Sequence, residues 1–158
     1  MTSEWTRGEF TITTDPARID LDVVHGFLTT CYWAEGIPRG VVAKSIEHSL
    51  CFSLLHQGRQ IGFARVITDR ATFGYLGDVF VLEAYRGKGL GRWLMEVVHG
   101  HPELQGFRRW VLLTRDAQAL YRPIGYTELA KPERYMERWA PDIYRQSGPE
   151  RGRARPRS

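Results

Sequence analysis

The chain has 158 residues, a length that suits one domain with a single core. It is 42% hydrophobic and 25% charged, and no apolar run approaches the roughly 18 residues of a membrane helix, so no membrane partner is expected. The formal charge of +4 gathers at the C-terminus, where Arg145, Arg151, Arg153, Arg155 and Arg157 face only Asp142 and Glu150. It is a tail property, and no nucleic-acid partner is expected of the folded part.

The first residues, Met1 to Arg7, lack the apolar stretch of a signal peptide, so a cytoplasmic location is expected. Phe10 and Ile12 alternate, which predicts a strand over residues 8–14 that Asp15-Pro16 stops. Val24, Phe27, Leu28 and Cys31 recur at helical spacing and predict a helix over 21–33, with Asp20 or Asp22 as its cap. A short second helix is expected over 41–49. The period then changes to that of strands. Residues 50–56 and 60–68 flank Gln57-Gly58-Arg59, a hairpin signal, and 73–82 follows after another turn.

Residues 89–99 carry a helical stripe of Leu90, Leu94, Val97 and Val98, ended by His99-Gly100-His101-Pro102. Residues 109–114 read as a strand, so strand–helix–strand predicts a parallel crossover. Asp116 is expected to cap a short helix from Ala117 to about Ile124. Gly125-Tyr126 and residues 135–139 read as further strands. The fold class is α+β, or mixed α/β. A single domain is expected over 1–140, with 141–158 as a basic, disordered tail. Cys31 and Cys51 lack metal-ligand spacing and read as free thiols, and His99-Gly-His101 reads as a helix end. No metal is expected.

The segment that carries chemistry is Asp78 to Gly91. A glycine-rich turn leads from a strand into a helix, where unpaired amides and the helix dipole favour an anion. Gly87, Gly89 and Gly91 leave the backbone bare, and Arg86, Lys88 and Arg92 add positive charge. A Walker loop needs Lys and then Ser or Thr after its last glycine, but Arg92 follows Gly91. A dinucleotide fingerprint would need glycine at 92. What remains is Arg86-Gly-Lys-Gly-Leu-Gly91.

That run resembles the acetyl-CoA-binding motif of the GNAT superfamily of N-acetyltransferases, with Arg86, Gly89 and Gly91 at the defining positions. Leu120-Tyr121-Arg122-Pro123-Ile124-Gly125-Tyr126 is similar to the family's downstream Leu-Tyr-x-x-x-Gly-Phe signature. The likeness covers roughly residues 10–139 by element order and 76–126 by motif. It implies a central, mostly antiparallel sheet of about six or seven strands with a parallel, splayed pair, flanked by about four helices. It also implies that acetyl-CoA is the co-substrate and that Phe80, Val81, Arg86, Gly87, Lys88, Gly89, Leu90, Gly91 and Arg92 hold it.

The reaction implied is transfer of acetyl to a primary amine by direct attack in a ternary complex. The amine must arrive neutral, the thioester oxygen gains charge, and the leaving thiolate needs a proton. Tyr121 matches the family's general acid. Asp78 is the first candidate base; Glu83, His48 and His56 are further acidic or imidazole groups. Many relatives carry Asn seven residues before the tyrosine. Here Thr114 stands there, able to replace one amide contact but not both. The acceptor wall is expected in Phe27, Tyr32, Trp33, Glu35 and Arg39, and a small-molecule amine is the expected acceptor. Alternatives are a protein N-terminal or lysine acetyltransferase, which needs an open groove beside the pantetheine, and a non-catalytic acyl-CoA sensor. Relatives often pair, which makes a homodimer compatible with the resemblance.

Overall fold

The computed structural model describes residues 1–145. Six strands form one sheet in sequence order: β1 (Glu4–Arg7), β2 (Phe10–Thr13), β3 (Leu50–His56), β4 (Arg59–Thr68), β5 (Phe73–Val81) and β6 (Arg109–Leu112). The first four pairings are antiparallel and the β5–β6 pairing is parallel. Helices α1 (Leu21–Leu28), α2 (Arg39–Glu47), α3 (Leu90–Gly100) and α4 (Gln118–Tyr121) complete the α+β fold.

Every residue of β3 but His56 is buried, so it reads as a continuous apolar run. Its alternate side chains feed two cores. Phe52 and Leu54 pack with Leu94, Met95 and Val98 of α3. On the opposite face Cys51 joins Phe63 and Phe80 of the sheet with Val24, Leu28 and Val42 of α1 and α2. The sheet is thus covered on both sides.

Several expected boundaries shift. β1 is an additional strand: polar Glu4-Trp5-Thr6-Arg7 shows no clear alternation, and pairing with β2 supplies what its own pattern lacks. Helix α1 stops at Leu28 rather than at 33. Thr29 and Thr30 follow, and Gly36, in the left-handed region at φ 79°, turns the chain back so that its N–H reaches the Thr29 carbonyl at 2.9 Å. Residues 29–37 become a strap across the sheet's edge. The strands expected at Gly125-Tyr126 and 135–139 do not form. Residues 127–142 are exposed throughout, and Pro132 opens a 3-10 turn where a ladder would need a donor.

Asp116 is not the cap of α4. The Ala117 N–H donates to the Thr114 hydroxyl at 3.0 Å instead, because Thr114 sits three residues back, while Asp116 faces Arg115. Part of the expected tail is ordered. Tyr144 packs against the core under α1 and α2, and its carbonyl would lie 2.9 Å from a Cβ added at Gly36. The rest of the tail, 146–158, lies outside the described residues.

Candidate active site

β5 and β6 pair only from Phe73↔Arg109 to Leu76↔Leu112. Beyond that β5 continues to Val81, bonded to β4 through Phe63↔Phe80 and Gly62↔Val81, with no β6 partner on its other edge. The two strands therefore splay. Along Phe80 and Val81 the edge of β5 that faces β6 has no strand partner, while the Phe80 ring is buried against Phe27, with ring centroids 4.1 Å apart.

At the end of β5 a 3-10 turn, Glu83–Tyr85, leads into the glycine-rich loop. The Tyr85 hydroxyl lies 3.0 Å from Nδ1 of His56, whose ring stacks on Phe10, so the turn is pinned to β3. Arg86 folds back, its Nε donating to the Val81 carbonyl at 3.0 Å. Gly87 and Gly89 both have positive φ, and a Cβ at either would meet nothing within 4 Å. The space in front of the loop is open. Gly89 caps α3 with no side-chain acceptor, so the first amides of the helix face that space unpaired. The Leu90 side chain is core, leaving only its amide to serve; Gly91 lies against Val81; Arg92 pairs with Glu96 along the helix at 3.5 Å. Lys88 is exposed. This bare, positive cradle fits a pyrophosphate.

On the other side of the splay lies a polar cluster. A bulge in the β4–β5 ladder puts Asp78 in the left-handed region at φ 55°. Its carboxylate is held twice: Arg65 Nε donates to Oδ2 at 2.8 Å, and Trp33 Nε1 donates to Oδ1 at 3.0 Å. Arg65 also donates to the Ser49 hydroxyl at 3.1 Å. Burial pushes the Cys51 thiol up to about 12 and the Cys31 thiol up to about 11; in Cys31 the Asp78 charge adds to the effect and Arg86 opposes it. Neither is a thiolate at neutral pH.

The 29–37 strap closes over this cluster. Trp33 anchors it to β5. On the β6 side the Arg115 N–H donates to the Tyr32 hydroxyl at 3.0 Å, and the Arg115 guanidinium lies 3.9 Å over the Tyr32 ring. Of the other expected wall residues, Arg39 is held by Asp22 and Glu35 faces Arg145, so both point away from the cluster's hydrogen bonds.

Tyr121 ends α4 and is 8% exposed. Burial, then the neighbouring Tyr32, pushes its phenol up to about 12, so it stays protonated. Among the described residues its hydroxyl has no hydrogen-bond partner, although it is not sealed from solvent. The neighbouring tyrosines differ: the Tyr32, Tyr85 and Tyr126 hydroxyls are all engaged. Behind Tyr121 the Tyr126 ring meets it edge-on, centroids 5.9 Å apart. His99 Nδ1 donates to the Met95 carbonyl at 2.7 Å, which leaves Nε2 to accept from the Tyr126 hydroxyl at 2.9 Å. His101 accepts the Glu103 N–H and packs on Trp5 and Phe52. The histidine pair is therefore structural.

Thr114 spends one lone pair on its own turn, accepting from the Ala117 N–H just ahead of α4. A groove of about 660 Å³ lies elsewhere, against β6 between Phe107 and Tyr135, and includes neither Tyr121 nor the glycine loop. Sequence reasoning missed Arg65 and Arg115. A charged residue inside the apolar run Ile61–Ile67 of β4 was the available signal for the first; nothing marked the second.

A splayed parallel pair, a bare helix N-terminus and a buried tyrosine are the features that the resemblance in the sequence implies. A family model for the acetyltransferase (GNAT) domain matches residues 47–128. A candidate acetyltransferase of Gibberella zeae is 33% identical over 140 residues, covering 74% of this chain and 78% of that protein. The crystal structure of a candidate GNAT-family acetyltransferase from Xanthomonas campestris pv. campestris is 46% identical, with a TM-score of 0.85, covering 87% of this chain and 97% of that one. The ribosomal-protein-S18-alanine N-acetyltransferase of Escherichia coli shares the fold at a TM-score of 0.58 and 24% identity, over 77% and 79% of the two chains. The chain belongs to the GNAT family and is an N-acetyltransferase.

Proposed function

We propose that the protein transfers acetyl from acetyl-CoA to the primary amine of a small molecule, by direct attack in a ternary complex. The observation that carries this reading is Tyr121: a largely buried, protonated phenol whose hydroxyl has no hydrogen-bond partner among the described residues. The glycine loop and Arg86 take the pyrophosphate, and the free edge of Phe80 and Val81 takes the pantetheine. The amine nitrogen attacks the thioester carbonyl, the carbon–sulfur bond breaks, and Tyr121 gives its proton to the sulfur. A proton lost from the nitrogen returns to Tyr121 through water, so the cycle closes. Direct attack is favoured over an acyl-enzyme because burial keeps both Cys31 and Cys51 protonated.

Small-molecule acceptors are favoured by the strap, which Trp33 and Tyr32 tie to opposite sides of the splay. A protein acceptor needs an open groove there. Asp78 takes a positioning part in this reading, holding Trp33 and Arg65, in place of the role of base. Among the described residues no helix is long and apolar enough to cross a membrane, which is compatible with a cytoplasmic enzyme. The test is thiol release from acetyl-CoA over a panel of small amines and short peptides. Release with small amines only supports the reading; release with lysine-bearing or N-terminal peptides alone moves it to a protein acceptor. Binding of acetyl-CoA without release from any acceptor overturns it.

A further inference from the structure

We infer that the acceptor is a primary amine of low basicity, of the kind carried by an amino-acid amide, rather than an alkylamine of lysine or polyamine type. The inference rests on the acetyl-transfer reading above and narrows its acceptor.

An alkylammonium with a pKa of about 10.4 is neutral in only about 1 molecule in 2,500 at pH 7, whereas an α-amino group near 8 is neutral in about 1 in 10. An enzyme that acetylates the first kind needs a group to receive the surplus proton, and a negative charge beside the nitrogen helps to bind the cation. The acceptor side of the splay offers no carboxylate without a donor already on each oxygen. Its carboxylate, Asp78, accepts from a guanidinium on one oxygen and from an indole on the other. Arg65 cancels its charge at 2.8 Å. The remaining groups around it are Cys31, Cys51 and Tyr75, each held in its neutral form by burial, and the cations Arg65 and Arg86.

The far lip adds another cation, Arg115, laid over Tyr32. The other acids nearby are turned outward: Asp116 faces Arg115 and Glu35 faces Arg145. Four of the five histidines are occupied: His25 on the Ile37 carbonyl, His56 on Tyr85, His99 on Tyr126 and His101 on the Glu103 N–H. His48 is exposed, at the end of α2. The groups on the acceptor side are thus neutral to positive apart from the paired Asp78, which favours an amine that is already neutral over an ammonium. The walls, Tyr32 and Trp33, suit a flat or apolar substituent.

The experiment compares phenylalanine amide with phenethylamine, which carry the same ring on amines of different basicity. Thiol release from acetyl-CoA is followed from pH 6 to 10 with the full chain. At pH 7 kcat/KM should favour the amide by about 100-fold or more, following the neutral fractions. The acid limb of log kcat/KM should bend at each amine's own pKa, near 8 for the amide and near 10 for the alkylamine. D78N and H48Q should leave those midpoints in place, whatever they do to the overall rate. Equal or faster turnover of phenethylamine at pH 7 overturns the inference, as does a single midpoint shared by both amines that moves in either variant. Release with neither amine, but with lysine-bearing peptides, overturns the small-molecule reading and this inference with it.

Discussion

Trp33 Nε1 and Asp78 Oδ1 meet at 3.0 Å across 45 residues of sequence, and that bond fastens the strap to the splayed strand. It uses one oxygen of a carboxylate whose other oxygen Arg65 already holds. Trp33→Phe keeps the ring but removes the donor. The expected result is a loss of about 1 kcal/mol, that of an ordinary hydrogen bond rather than one to a charged group, because Trp33 is half-exposed. KM for the amine should rise several-fold while KM for acetyl-CoA moves less than about two-fold. Steady-state kinetics with each substrate varied in turn separates the two.

Tyr121→Phe keeps the ring in its packing against Tyr126 and deletes only the unpartnered hydroxyl. kcat should fall by about 10²- to 10⁴-fold, the range for a general acid, with acetyl-CoA affinity by calorimetry little changed. Because burial holds this phenol up to about 12, the wild-type enzyme should show no alkaline loss of activity from Tyr121 below about pH 10. A fall between pH 8 and 9 that Tyr121→Phe abolished would contradict the assignment.

Gly89→Ala puts a side chain at φ 78°, which costs about 1–2 kcal/mol for a residue with a Cβ. The Cβ itself meets nothing in the protein, so the fold has no clash to absorb. It does occupy the space in front of the first amides of α3. The expected outcome is a KM for acetyl-CoA raised at least ten-fold, with Tm lowered by only a few degrees.

His99 is half-buried and its pKa is lowered, desolvation being the main cause and the Met95 carbonyl opposing it. The unfolded chain therefore takes up this proton more readily than the folded one. Stability from the neutral ring is fully present above the unfolded value of about 6.5 and is lost as pH falls below it. Tm should decline from pH 7 to pH 5, and His99→Gln should flatten the part of that decline due to this ring. Differential scanning calorimetry across the pH series measures both.

The strand–helix order, the three-glycine loop and Tyr121 were legible in the sequence because each depends on local pattern. Alternation over 50–68 marks strands, and glycines mark a bare turn. The strap was not legible. Phe27, Leu28 and Cys31 continue a helical period past the point where Thr29, Thr30 and the left-handed Gly36 bend the chain away. The strands expected near 126 and 135–139 failed for a related reason: among the described residues β6 pairs only with β5, so no ladder takes up that backbone.

The sequence by itself determined the glycine-rich loop at the start of α3. It is built from consecutive residues, so Arg86 to Arg92 carry both its geometry and its charge. The tertiary structure alone decided the acceptor side. There Trp33, Arg65, Asp78 and Arg115 come from four separate segments, and what Asp78 can do depends on which donors reach it in space. Read along the chain, Asp78 is a lone carboxylate on a strand; in space it lies between a guanidinium and an indole, the arrangement behind the positioning part proposed for it.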